Sequence, residues 1–329
     1  MELFNSAFGK NITFVRPAYF VINGFIGLPN MKSYYIFLFF LYIISVVGNT
    51  AVMAIIYLDH NLRTPKYVAV FNLAFVDLLG SSALVPKVID IFLFNHNIIP
   101  YNDCLTFLFF CYSCLSMQSF NLVALSYDRL VAIIFPLHYQ VKVTCRSMLT
   151  LITSFWIFAI VAALIAVGLL TRLSYCKSLV INSYFCDHGQ IYRLACNDNF
   201  PNHVIGLFYP VLIFWLPLVF ILLSYLYISY TLVKVATFQP GIKALKTCIA
   251  HLSLVVIYFT PLLITFTLME KIHPNNRIIN LSLTSVLPPM LNPIIYVLQT
   301  HEIKVSMKKL FKIFFKSKIR NFRSSNLSY

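Results

Sequence analysis

Asp128 and Arg129 stand side by side at the end of a long apolar run, in the stretch Leu125–Ile133 that reads LSYDRLVAI. An adjacent carboxylate and guanidinium can neutralise one another or exchange partners, which is switching chemistry rather than bond-breaking chemistry. A second acid, Asp77, lies in the middle of another apolar run, and Asn49 lies in a third. In lipid such groups must find partners on other helices. Asp77 and Asn49 therefore read as a buried polar switch, linked to water or to a sodium ion near Asp77. A hydrogen-bonded packing role is the plainer alternative. Nothing here has the pattern of a catalytic centre. There is no His-Glu metal motif, no glycine-rich phosphate loop and no nucleophile–base pair, and only nine glycines occur in the chain. No enzyme activity and no resident cofactor are expected.

The elements that must hold these residues follow from composition. Of 329 residues, 60% are hydrophobic and 11% charged. The charged share is under half the roughly 25% of ordinary soluble domains, and mean hydropathy is +0.81. Seven runs are long enough to cross a bilayer: Ser33–Leu58, Tyr67–Leu93, Tyr101–Ile134, Ser147–Leu170, His203–Val233, Lys243–Met269 and Asn276–Leu298. From Cys104 to Arg129 a helix rises ~38 Å, which exceeds a bilayer core of roughly 30 Å. One helix thus puts a cysteine at one membrane face and the acid–arginine pair at the other. The expected fold is an all-α membrane protein, a seven-helix bundle, with residues 33–300 as one domain. The runs are too long and continuous for a β-barrel. No internal repeat is visible, which argues against an inverted-repeat transporter.

Charge sets the orientation. The net charge is +15, and His301–Tyr329 holds eight Lys/Arg against the single acid Glu302. In a membrane chain such a run reads as a tail on anionic lipid rather than a nucleic-acid site. It puts the C-terminus in the cytoplasm. Ile303, Met307, Leu310, Phe311 and Phe314 alternate with lysines at helical spacing, so 301–329 begins as an amphipathic helix on the inner surface. With seven spans, residues 1–32 lie outside, where the sequon at Asn11 can carry sugar. The sequons at Asn280 and Asn326 fall in a span and in the tail and are expected bare. Cys104, Cys176, Cys186 and Cys196 then share the oxidising side, giving two disulfides in one of three connectivities. A metal site at Cys186 and His188 explains the even count less simply. Cys111, Cys114, Cys145 and Cys248 are expected to be free thiols.

Taken in order, Asn49, Asp77, Cys104, Asp128-Arg129, Trp156, Pro217, Tyr225, Pro261 and Asn292-Pro293-Ile294-Ile295-Tyr296 resemble the rhodopsin-like G-protein-coupled receptors over nearly the whole chain. Three longer stretches resemble the olfactory receptors. Leu125–Ile133, followed by Pro136-Leu137-His138-Tyr139, looks like their MAYDRYVAIC signature. Lys243–Leu252, reading KALKTCIAHL, is similar to their KAFSTCxSHL stretch. Pro288-Pro289-Met290-Leu291-Asn292-Pro293-Ile294-Ile295-Tyr296 is similar to their seventh span. Leu130, Ile134, Lys66 and Phe259 depart from the usual residues, which points to a divergent, aquatic-type branch.

The resemblance implies disulfides Cys104–Cys186 and Cys176–Cys196, a small-molecule odorant as ligand, and a heterotrimeric G protein as partner with cAMP signalling. It implies a plasma-membrane location, in the cilia of olfactory sensory neurons. On the third helix Cys111, Tyr112, Leu115 and Ser116 share a face, roughly 10–18 Å below Cys104 by helical rise. Family position adds Tyr209, Ile213, Phe259, Leu262 and Phe266 to this ligand lining. At the inner side, Arg129 would be held by Asp128 at rest and freed when the sixth helix moves out at Pro261, with Tyr225 and Tyr296 filling in. Lys243, Lys246, Asn292 and Pro293 belong to the same coupling set. The rival readings are a receptor of the same fold for a peptide, amine or lipid, and a transporter or channel. The outer charges Arg172, Lys177, Arg193, Lys271 and Arg277 would favour anionic or zwitterionic ligands, or form a solvated rim.

Overall fold

The computed structural model describes residues 15–25, 31–176, 178–234, 238–268 and 272–309, with the side chains of 238–247, 250 and 299 outside that description. Asn11 and the tail beyond residue 309 also lie outside the described residues. Seven helices are long and apolar enough to cross a membrane. They are the first span Lys32–Leu58, the second Pro65–Leu93, the third Tyr101–Ile134 and the fourth Cys145–Thr171. The fifth runs over Phe200–Lys234, the sixth lies in the helix Phe238–Leu268 and the seventh in Pro274–Gln299. The expected boundaries are met to within a few residues, except that the sixth helix starts five residues before Lys243, at Phe238.

The third span is the axis of the bundle. Of its most apolar window 67% is buried, against 22% for the first and fourth spans, whose outward faces are exposed and apolar. The fourth span touches the bundle through small residues: Ala159, Ala163 and Ala166 are fully buried. Spaced four and three apart, they share one face and let the backbones approach closely. A capping box starts this helix: Ser147 N–H donates to Thr144 Oγ1 at 3.1 Å and Thr144 N–H to Ser147 Oγ at 2.9 Å. Between the first and seventh spans the tight spot is Gly48, where an added Cβ would sit 2.8 Å from Pro293 Cγ.

The fifth span carries an irregular turn that the position of Pro217 did not predict. Phe200–Pro210 is α-helical, Val211–Trp215 is a π-helical turn, and Leu216–Lys234 resumes the α-helix. An extra residue in one turn re-aims the side chains around it, and Tyr209, Ile213 and Phe214 all end up buried.

The outer side carries a small sheet, absent from the expected all-α plan. β1 (Tyr19–Ile22) pairs antiparallel with β2 (Ile98–Pro100) and parallel with β3 (Val180–Ile181). These strands of four, three and two residues are too short to leave an alternation in the sequence. Phe20 fixes the cap, its ring 5.4 Å from Tyr175 and 5.9 Å from Tyr101. Disulfides Cys104–Cys186 and Cys176–Cys196 tie the second outer loop to the third span and to itself, with Cα–Cα distances of 5.6 and 5.9 Å. Cys111, Cys114, Cys145 and Cys248 are free. On the inner side residues 301–309 are helical and Ile303 is fully buried.

Candidate functional site

In the outer half, the third and fifth spans meet through hydroxyls. Tyr209 Oη donates to Tyr112 O at 3.0 Å and shares a 2.8 Å hydrogen bond with Ser116 Oγ. The Tyr112 and Tyr209 rings lie 4.7 Å apart. The sixth span joins through Tyr258, whose Oη donates to Leu115 O at 2.6 Å. Phe214 links the fifth and sixth spans, its ring 5.5 Å from both Phe259 and Phe266. Ile213, Phe259 and Leu262 are buried in one core with Phe214 and Tyr209, and Leu115 and Phe266 pack against it. Cys111 packs instead with the outer cluster beneath the loop, and Tyr112 touches both clusters. The expected lining is thus one neighbourhood apart from Cys111, which turns to the outer cluster one residue before Tyr112.

The sequence did not single out Tyr258 or Phe214, each next to a residue it chose. It also missed the loop residues that roof this neighbourhood. Tyr184 Oη donates to Leu281 O at 3.0 Å and to Ser285 Oγ at 3.2 Å on the seventh span. The Phe185 ring lies 6.4 Å from Phe107, and the His188 ring 6.3 Å from Tyr112. Asp187 is the N-cap of the helix His188–Arg193: its Oδ1 accepts from Gly189 N–H at 3.2 Å. Burial pushes the Asp187 carboxyl up, against the pull of Arg277 and Arg193. Burial also pushes His188 down to about 4. The available signal was position: residues directly after Cys186 must lie over the third span once Cys186 is bonded to Cys104.

At mid-membrane, Asp77 is fully buried between two amides. Gln118 Nε2 donates to its Oδ1 at 2.8 Å and Asn292 Nδ2 to its Oδ2 at 2.6 Å. Gln118 was not foreseen as a partner. Both carboxylate oxygens face N–H donors, so a cation there would have to displace at least one amide. This donor set fits a satisfied acid better than a sodium site. Asn49 bonds elsewhere: its Nδ2 donates to Pro289 O at 2.8 Å and Ser45 O at 2.9 Å. Trp156 Nε1 donates to Asn72 Oδ1 at 3.1 Å, and Asn72 Nδ2 to Asn121 Oδ1 at 2.8 Å, joining the second, third and fourth spans.

At the inner end, Arg129 Nη2 lies 3.1 Å from Asp128 Oδ2. Tyr139 Oη donates to Asp128 Oδ1 at 2.6 Å; the sequence had shown Tyr139 only as the end of the family-like stretch after Leu125–Ile133, not as a partner of Asp128. Tyr225 pairs with His251 across the fifth and sixth spans, Oη to Nδ1 at 2.7 Å, rather than with Arg129. Arg129, His251, Tyr296, Lys66 and Glu302 line a cavity of about 160 Å³ at this end of the bundle. Tyr296 Oη is buried without a hydrogen-bond partner among the described residues. Lys243 and Lys246 lie on the first turns of the sixth helix, their side chains outside the description.

Seven crossing helices, a disulfide-tethered roof over an aromatic neighbourhood and an ion pair beside an inner cavity define a multi-pass membrane receptor. The olfactory receptor family profile matches residues 38–313. "Olfactory receptor 1C1" of Homo sapiens is 34% identical over 92% of this chain and 96% of its own length. "Olfactory receptor 1f45" of Rattus norvegicus is 32% identical over 91% and 96%, and "Olfactory receptor 52K1" of Homo sapiens 33% over 92% and 98%. The chain belongs to the olfactory receptor family, the odorant-sensing G-protein-coupled receptors, and is not an enzyme.

Proposed function

We propose that the chain binds a small odorant among Tyr112, Leu115, Ser116, Tyr209, Ile213, Phe259, Leu262 and Phe266, with Cys111 at the upper edge. It then activates a heterotrimeric G protein at its inner face and raises cAMP. The observation that carries this is the third span itself. The helix Tyr101–Ile134 bears Tyr112 and Ser116 in the outer aromatic neighbourhood and Arg129 in the wall of the inner cavity. A ligand that favours one packing of the third, fifth and sixth spans shifts the population at both ends of that helix. A differential of about 1.4 kcal/mol shifts it tenfold.

In the resting arrangement Arg129 is held by Asp128, and Tyr225 by His251. Outward movement of the sixth span separates Tyr225 from His251 and frees Tyr225 and Tyr296 to support an Arg129 that engages the G protein. Lys243 and Lys246 belong to this coupling end, and Asn292 and Pro293 transmit through Asp77. The chain sits in the plasma membrane of olfactory cilia with its N-terminus outside, sugar on Asn11 and its basic tail on anionic lipid. The test is an odorant panel with a cAMP readout in cells expressing the whole chain, alongside Arg129→Ala. That variant is expected at the surface with its ligand-evoked cAMP abolished. Full evoked signalling by surface-expressed Arg129→Ala would sink the proposal.

A further inference from the structure

The roof over the ligand neighbourhood holds buried polar atoms that the fold leaves unused. Among the described residues, Asp187 Oδ2 and His188 Nε2 have no hydrogen-bond partner, and the two residues are only 8% and 2% exposed. A buried acceptor without a donor costs free energy, more so for a charged group, unless something else supplies the donor. Both residues lie beneath the loop surface, away from the outer solvent. The His188 ring lies 6.3 Å from Tyr112, which lies 4.7 Å from Tyr209. Burial pushes the Tyr184 phenol up against the pull of Ser285, and Cys111 of the third span and Asp187 are both close enough to add to that push.

Arg277 and Arg193 act on Asp187 from a distance, and two of the Arg277 N–H groups are committed elsewhere, although its Nε–H is buried without a partner among the described residues. Arg277 Nη2 donates to Asn182 O at 2.7 Å. With the Gln190 amide turned to face it, Gln190 Oε1 accepts from Arg277 Nη1 at 2.8 Å. Those bonds fix the guanidinium to loop carbonyls, so it is poorly placed to capture an anionic ligand. Asp187 Oδ1 is occupied by its own helix cap at Gly189, whereas Oδ2 is open.

Resting on the olfactory reading above, we infer that Asp187 and His188 form the polar end of the ligand chamber, and that the ligand is a small amine whose N–H groups Asp187 Oδ2 accepts. The rest of the ligand lies on the aromatic lining of Tyr112, Tyr209 and Phe259. An ammonium supplies the missing donor and a charge-assisted hydrogen bond, which a hydroxyl does only in part and a carboxylate not at all.

Asp187→Asn separates this role from a structural one. Asparagine is as good an N-cap as aspartate, so the helix start and the surface level are kept while the anion is removed. Cells expressing the full chain are exposed to linear, branched and aromatic amines and to the alcohols and carboxylic acids of the same skeletons. cAMP is read with surface immunolabelling. Amines are expected to be the most potent class, and Asp187→Asn to weaken them at least about tenfold while leaving alcohols unchanged. Three results overturn the inference while the receptor reading stands. They are acids outranking amines, alcohols matching amines in the wild type, or Asp187→Asn weakening both classes alike or neither. Silence toward every class in surface-expressing cells removes the receptor reading and this inference together.

Discussion

Tyr225 and His251 are held together twice, by a 2.7 Å hydrogen bond and by nearly parallel rings 5.5 Å apart at 19°. The pair ties the fifth span to the sixth beside Arg129. On the mechanism proposed above, an outward swing of the sixth span separates this pair, which makes it a latch on the resting arrangement.

His251→Phe keeps the ring stack and removes the hydrogen bond. A net hydrogen bond contributes about 1 kcal/mol, which is roughly a fivefold shift in a two-state equilibrium. Ligand-free cAMP, normalised to surface level, is expected to rise about fivefold. Unchanged or lowered basal signalling in a variant at normal surface level would show that the pair is packing rather than a latch.

The two disulfides predict different losses. Cys176–Cys196 closes a loop across a sequence separation of 20, a constraint of order 3 kcal/mol on the unfolded loop. Cys104–Cys186 also sets where Asp187 and His188 sit. Cys176→Ser is expected to lower surface level and leave the potency of the surviving receptor near wild type. Cys186→Ser is expected to abolish the evoked response even in molecules that reach the surface. Within each bond the double serine variant is expected to match either single one, because one partner already removes the link. Flow cytometry with a dose–response curve on the same cells checks this. Doubles clearly worse than singles would mean that the thiols have other partners.

The spans and the inner motif were legible because each leaves a signal in one dimension. Seven apolar runs set the fold, and Asp128-Arg129 at the end of one run had to lie at a membrane face. Partners from distant runs leave no such signal. Gln118 and Tyr139 are unremarkable until helix packing brings Gln118 Nε2 within 2.8 Å of Asp77 and Tyr139 Oη within 2.6 Å of Asp128. The roof was hidden for another reason. Its strands are two to four residues long, and they pair across distant parts of the chain, so no local periodicity marks them. Where the sequence chose Phe259, the hydroxyl that reaches the third span belongs to its neighbour Tyr258, a one-residue difference in helical phase that a family position does not resolve.

Proton dependence follows from His188. Its ordinary value is 6.5, and burial in the closed loop moves it down to about 4. A histidine depressed in the folded state contributes stability that is complete above 6.5 and is lost as pH falls from there toward 4. Asp187 runs the other way: burial raises its carboxyl, so it favours the closed loop as pH falls from its raised value toward 3.8, a window that extends upward into the histidine's range and offsets part of its effect. Lowering the outer medium from about pH 7.5 to about pH 5.5 is therefore expected to weaken an agonist that does not itself titrate there, by up to about tenfold. His188→Asn, which cannot take up a proton, is expected to flatten that dependence. Equal pH sensitivity in the variant and the wild type would assign the effect to another group and remove His188 from the roof's closing equilibrium.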